Sequence, residues 1–367
     1  MENVLENKGE IKEIKKRNIG LDSLRIISMI MIIFLHYIGK GGLLNIENTG
    51  NNYHAIYYFI EALCIIAVNC YVLISGYFLI NSKFKWKKVL QLWLETLFYS
   101  LFIYFIIVLL GLIELDIKGI IKSLFPIITK EYWFINIYLV MYILSPFLNK
   151  LINSMSKKEY QKLLLILIVC FSIISILPAA YTLDSSRGYG IIWFTCLYLI
   201  AGYIRINNIP EKLKLNKNFY FLLIYFIFAI IVTIGMLLLD YIGNAFGKEN
   251  LREKFLQYNN IFVLIESIAL FMYFKQLNIK SRKLIKVIEF IAPLTLAVYL
   301  IHEQSQLRTV LYNKILHTEI CYHNPYGIFI AIGSVLAIFI TCIVIEFIRQ
   351  KILKNVKKLL KKKIKLK

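Results

Sequence analysis

Long apolar runs separated by short, lysine-rich polar segments dominate the chain. The runs fall at roughly 19–38, 57–80, 89–113, 132–152, 162–181, 189–206, 219–240, 259–275, 287–302 and 325–348. Most approach about twenty residues, the length at which an α-helix crosses the hydrocarbon core of a bilayer. The pattern predicts an all-α fold, a polytopic transmembrane helix bundle of about ten spanning helices. A shorter run at 118–128 is too brief to span and is expected to lie at the interface. No interval between runs holds a soluble domain, and no internal repeat is visible. The expected organisation is a basic tail at 1–18, one membrane domain at 19–348 and a second basic tail at 349–367.

Composition agrees with this reading. Hydrophobic residues make up 59% and charged residues 18% of the 367 positions, and mean hydropathy is +0.66. A soluble domain of average composition is only about 45–50% apolar and carries about a quarter charged residues.

The net charge of +21 would by itself fit a nucleic-acid binder. Its distribution argues against one. Counted over alternate segments between the runs, Lys and Arg number 32 on one side and 10 on the other. Basic residues collect in cytoplasmic loops, so the rich side is expected to be cytoplasmic, with both termini inside. The basic tails then face anionic headgroups and not nucleic acid. The segment before the first run shows no cleavable signal pattern.

Six cysteines form no CxxC pair; five sit inside apolar runs and read as small core residues. His317 and His323 flank Cys321 in a loop, at a spacing that matches no zinc pattern, and no metal site is expected. Glycine-rich phosphate loops, GxSxG elbows and HExxH motifs are absent.

Ionisable residues inside spans are costly and mark function or a bundle partner. The first run carries three on one stripe, Asp22, Arg25 and His36. Arg25 and His36 lie about 20° apart around the helix and about 16 Å apart along it. Asp22 sits one turn before Arg25, at ion-pair spacing. By the charge count, Glu61, Trp133, Asn136, Tyr299, His302 and Glu303 lie towards outer helix ends. Lys83, Lys85, Lys87, Lys88, Glu95 and the Ser75-Gly76 step lie towards inner ends. Each has an ordinary alternative: an aromatic belt for Trp133, helix packing for Gly76, and bundle hydrogen bonding for Glu61 and Glu266. Together they describe a basic inner mouth and an aromatic outer mouth with histidines and acids.

These residues are similar to the acyltransferase-3 family of bacterial membrane O-acyltransferases. Arg25 and His36 match its Arg-x10-His pair in the first helix. The run from Asn69 to Ser75-Gly76-Tyr77 resembles its apolar segment ending in Ser-Gly-aromatic. Tyr132-Trp133-Phe134 through Pro146, and the late Tyr299-x-x-His302, follow in family order. One departure stands out: Lys85, Lys87 and Lys88 replace what is often arginine in the family, a point charge in place of a bidentate fork.

The resemblance implies a multi-pass protein of the bacterial plasma membrane with no bound cofactor. Acyl-CoA, acetyl-CoA in the first instance, would be the donor substrate. A hydroxyl of a cell-surface or lipid-linked glycan would be the acceptor, with glycan-assembly proteins as further partners. It implies catalytic roles for His36 and Arg25. Asp22, Tyr299, His302, Glu61 and Trp133 would support them or line the acceptor side, and Ser75, Lys85, Lys87 and Lys88 would serve the donor. A flippase or transporter for a lipid-linked glycan stays open as the alternative, since it too buries charge in a bundle.

Overall fold

Helix α1 (Ile19–Lys40) starts where Asn18 caps it, its side chain accepting the Leu21 N–H at 2.9 Å. Capping satisfies a donor that the first turn leaves free, which matters most where water is scarce. The computed structural model describes residues 17–129, 131–174, 186–209, 218–248 and 250–365. Residues 1–16 of the expected N-terminal tail and the end of the expected span 162–181 lie outside them.

The described residues form helices with no strand. After α1 come α2 (Ile46–Ile65), α3 (Ala67–Leu79), α4 (Trp86–Leu109), α5 (Ile117–Leu124), α6 (Trp133–Ser154) and α7 (Lys157–Ile168). Then follow α8 (Ile191–Ile206), α9 (Asn218–Ala245), α10 (Ile261–Gln276), α11 (Arg282–Ile291), α12 (Thr295–His302), α13 (Ser305–Val310) and α14 (Gly327–Lys365). Short α5 occupies the expected interfacial segment, capped by Asp116. No break falls at residue 349; α14 continues to Lys365, because no glycine or proline intervenes to end it.

Among the described residues, seven helical stretches are long and apolar enough to cross a membrane: α1, Tyr53–Leu79, α4, α6, α9, Arg282–His302 and Gly327–Leu359. This is a multi-pass membrane architecture. The runs at 189–206 and 259–275 form α8 and α10, each of 16 residues. That length covers about 24 Å, short of a hydrocarbon core of about 30 Å. Both are extensively buried, so neighbouring helices cover them in place of lipid.

Helix α1 is the axis of the bundle, packing against α2, α3, α10, α11, α12 and α14. It divides two cores. Leu21, Leu24 and Leu35 join α2, α3, α8, α9 and α10, whereas Met29, Ile32, Ile33 and Tyr37 join α4, α6, α12 and α14. Lipid offers helices no hydrophobic reason to associate, so close packing and hydrogen bonds must hold them. Gly20 provides the first: a Cβ there would lie 2.0 Å from the Phe274 carbonyl oxygen of α10. Gly76 similarly lets α3 approach the Tyr198 backbone of α8. Buried Asn69 provides the second. Its amide donates to Tyr258 O at 2.8 Å and to Ser267 Oγ at 3.1 Å, and its carbonyl accepts from Trp193 Nε1 at 3.0 Å. Large exposed apolar side chains such as Phe102, Ile234 and Phe347 lie on the outward faces of α4, α9 and α14, where lipid covers them.

Gly20→Val should push α1 off α10 and cost at least about 1–3 kcal/mol, the usual range for overpacking. Thermal unfolding of the detergent-purified protein should move to lower temperature. An unchanged transition would show that the close approach is dispensable.

Candidate functional site

The stripe on α1 meets α12 at its far end. A short 3-10 turn, Ala292–Leu294 with Pro293, precedes α12, and the helix stops at His302. Two neighbours fix this ending. Tyr132 Oη donates to Leu300 O at 2.9 Å, and buried Glu131 accepts the Ser305 N–H at 2.7 Å. Gln304 then caps α13 by accepting the Leu307 N–H at 2.7 Å.

At this corner His36 Nδ1 lies 3.0 Å from His302 Nε2. His302 Nδ1 lies 2.5 Å from Val298 O, one turn back on its own helix. A carbonyl only accepts, so His302 Nδ1 carries the proton and its Nε2 presents a lone pair. His36 Nδ1 must therefore donate to that lone pair, which leaves His36 Nε2 as the free acceptor. Glu303 Oε2 flanks the same Nδ1 at 3.0 Å without an aligned hydrogen bond of its own. Its other oxygen pairs with Arg308. The result is an imidazole with fixed tautomer and an adjacent carboxylate able to stabilise a positive ring. The ligand atoms of His36, His302 and Glu303 lie within 4.8 Å of one another. That spacing suits a divalent ion, but the hydrogen-bond chain explains both imidazoles without one.

His36 also borders a cavity of about 250 Å³ that reaches back to Arg25. Its wall includes Tyr71, Ser75, Trp133, Tyr138 and Tyr299. Arg25 Nη1 pairs with Asp22 at 3.1 Å, and its guanidinium sits 5.7 Å from the Phe78 ring centroid. Asp22 also pairs with Arg17, so one carboxylate anchors two guanidinium groups. Tyr71 Oη bonds the Arg25 carbonyl at 2.9 Å, bracing the helix behind the side chain. At the other end, Trp133 stacks on Tyr258 at 5.9 Å between centroids and approaches Tyr189 at 4.7 Å. The Tyr299 hydroxyl is buried without a hydrogen-bond partner, and the Tyr299 ring stands edge-on to that of His302, 6.3 Å between centroids.

Arg25, His36, Ser75, Trp133 and Tyr299 thus share one cavity, with Asp22 and His302 directly behind two of them. Glu61 is buried but not in the cavity wall. Lys85, Lys87 and Lys88 are exposed at the start of α4 and do not line it either. His317 and His323 stand apart on the surface, bonded to Glu319 and to Glu47 O at 2.9 Å each. Cys321 is buried instead, 3.4 Å from Tyr37 Oη. Sequence reasoning placed Glu303 at an outer helix end but gave it no role, and it missed Arg308. The one signal for them was an acid directly after His302 with an arginine five residues on.

In histidine-labelled protein, ¹⁵N NMR should find both His36 and His302 as Nδ1–H tautomers. An Nε2–H tautomer at His302 would break the chain of donors and free His36 of its orientation.

Comparisons with known proteins add one result. No curated protein and no solved structure matched the chain. The acyltransferase-3 family, described as an acyltransferase domain, matches residues 18–346. Its match begins at the cap of α1 and ends within α14, enclosing the cavity and the histidine pair, and the chain is a member of this acyltransferase family.

Proposed function

We propose that this acyltransferase moves an acyl group, acetyl in the first instance, from cytoplasmic acyl-CoA to a hydroxyl of a cell-surface or lipid-linked glycan. The observation that carries the reading is the single cavity joining Arg25 to His36. The two ends differ as donor and acceptor sites should. One carries a guanidinium suited to phosphate or carbonyl oxygen, and the other an oriented imidazole among aromatic rings.

The charge count supports ten spans with the Arg25 end of α1 towards the cytoplasm. Acyl-CoA would then enter from that side. Exposed Lys85, Lys87 and Lys88 would attract its phosphates at the entrance, and the slender pantetheine arm would run up the cavity past Ser75. Arg25, held by Asp22, would bind phosphate or thioester oxygen. Trp133 and Tyr258 offer apolar ring faces of the kind that pack against sugar rings.

In the transfer step, His36 Nε2 takes the acceptor hydroxyl proton as that oxygen attacks the thioester carbonyl carbon. The C–S bond breaks with its electron pair on sulfur, and the imidazolium returns the proton to the thiolate. An ester and free CoA thiol result. Glu303 beside Nδ1 stabilises the transient imidazolium, and His302 keeps Nε2 aimed at the cavity, a division of labour familiar from hydrolase triads.

His36→Ala should reduce acyl transfer from labelled acetyl-CoA in membranes by about 10²–10⁴-fold, the usual contribution of a general base. Glu303→Gln should fall in the same direction with donor binding intact. His317→Ala and His323→Ala should transfer normally. Full activity in His36→Ala would remove the mechanism.

Donor binding tests Arg25 separately. Purified Arg25→Ala and Arg25→Lys should both bind acyl-CoA more weakly, because lysine keeps the charge and loses the planar fork. Unchanged affinity in Arg25→Ala would assign Arg25 to the fold through Asp22.

A further inference from the structure

A second concavity lies on the opposite side of His302. It is an apolar groove of about 790 Å³ between α4, the segment 301–316 and α14, walled by residues such as Phe102, Ile106, Leu307, Leu311 and Ile338. Most of its side chains are hydrocarbon, with Arg349, which is paired to Glu95 and Glu346, among the few exceptions. Along α14 it runs from Ala337 to Leu353, about 24 Å at helical rise. His302 forms part of its wall, and its hydrogen-bond partner His36 forms part of the wall of the central cavity.

A polar cleft of about 440 Å³ adjoins it, lined by Lys122, Ser305, Gln306, Thr309, Asn313 and Lys314 among others, with no acidic residue. The segment 305–315 serves both. Leu307, Leu311 and Ile315 face the groove, whereas Ser305, Gln306, Thr309 and Asn313 face the cleft. Leu112 lines the groove and the next residue, Ile113, lines the cleft; Lys314 Nζ reaches Leu112 O at 3.4 Å, at their junction. Both lysines belong to the segments poor in basic residues, where positive charge has no topological purpose.

Resting on the acyltransferase reading above, we propose that this face docks the lipid anchor of the acceptor, a sugar carried on a long-chain polyprenyl phosphate. The groove opens on hydrocarbon, so its occupant is a lipid chain. Its length suits one extended chain. The lysine pair complements a phosphate where chain and cleft meet. A sugar beyond that phosphate lies over Ser305 and Gln306, two and three residues past Glu303, and so at the catalytic corner.

The test uses the full chain in nanodiscs with a photoreactive long-chain polyprenyl phosphate. Crosslinks should map to 301–316 and α14. Unlabelled polyprenyl phosphate should compete about tenfold better than the neutral polyprenol, phosphatidylglycerol or inorganic phosphate, as expected for a phosphate contact worth about 1.4 kcal/mol or more. Lys122→Glu/Lys314→Glu should lose about tenfold in labelling, and Ala337→Trp should block the groove, both with acyl-CoA affinity unchanged. Equal competition by phosphatidylglycerol would make the groove a general lipid surface and overturn the proposal. Labelling unaffected by the lysine variant would overturn it as well. Polyprenyl phosphate binding without any acyl-CoA binding in the parent protein would support the docking site while removing the acyltransfer reading on which the acceptor role depends.

Discussion

The contact between His36 and His302 is the constraint on which the rest of the architecture turns. The fully buried imidazole of His302 and the part-buried one of His36 each need a partner, because an unsatisfied polar group in hydrocarbon costs several kcal/mol. They meet at 3.0 Å across 266 positions of sequence. For that to happen α12 must end beside α1, and it must end there sharply. The Pro293 turn, the Tyr132 bond to Leu300 O and the Glu131 bond to Ser305 N–H all serve this placement. The helix stop also turns Glu303 back onto His36, with Arg308 balancing its charge. One polar contact therefore specifies a helix length, a corner and the geometry of the candidate site together.

What could be read from sequence follows from which distances are local. Asp22, Arg25 and His36 lie on one helix, so their common face is fixed by helical pitch, and the cavity wall agrees. Gly76 as a close-packing residue was legible for the same reason. Apolar run length identified the membrane helices, and seven of the described helical stretches are long and apolar enough to cross a bilayer. Helices α8 and α10 have the hydropathy of spans, but at 16 residues and largely enclosed by neighbours they need not match the bilayer thickness.

The remainder depended on contacts between distant segments. Glu303 and Arg308 act through a turn created by Glu131 and Gln304, which no local pattern announces. The lysines after the Ser-Gly step stood out as charges near a motif, but they sit on the exposed start of α4, away from the cavity wall. Glu61 and Glu266 illustrate the opposite limit. Both are buried carboxyl groups with oxygens lacking partners, so burial inside a span singles out a residue without giving it a role.

His302 walls one compartment and bonds to a wall residue of the other, and this accounts for its position better than either compartment alone. Its ring walls the apolar groove while its Nε2 receives the proton of His36, whose own side chain walls the central cavity. Under the reading proposed above, a water-soluble donor and a membrane-bound acceptor keep to separate routes until the reacting atoms meet. Water reaching the donor ester by the same path would hydrolyse it, and a single open channel would leak. Two concavities, one walled by His36 and the other by its partner His302, suit that arrangement with little machinery. The same pair that fixes the helices thus also sets where the two routes converge, and a shift of α12 by even one turn would separate them and orphan His36 in hydrocarbon.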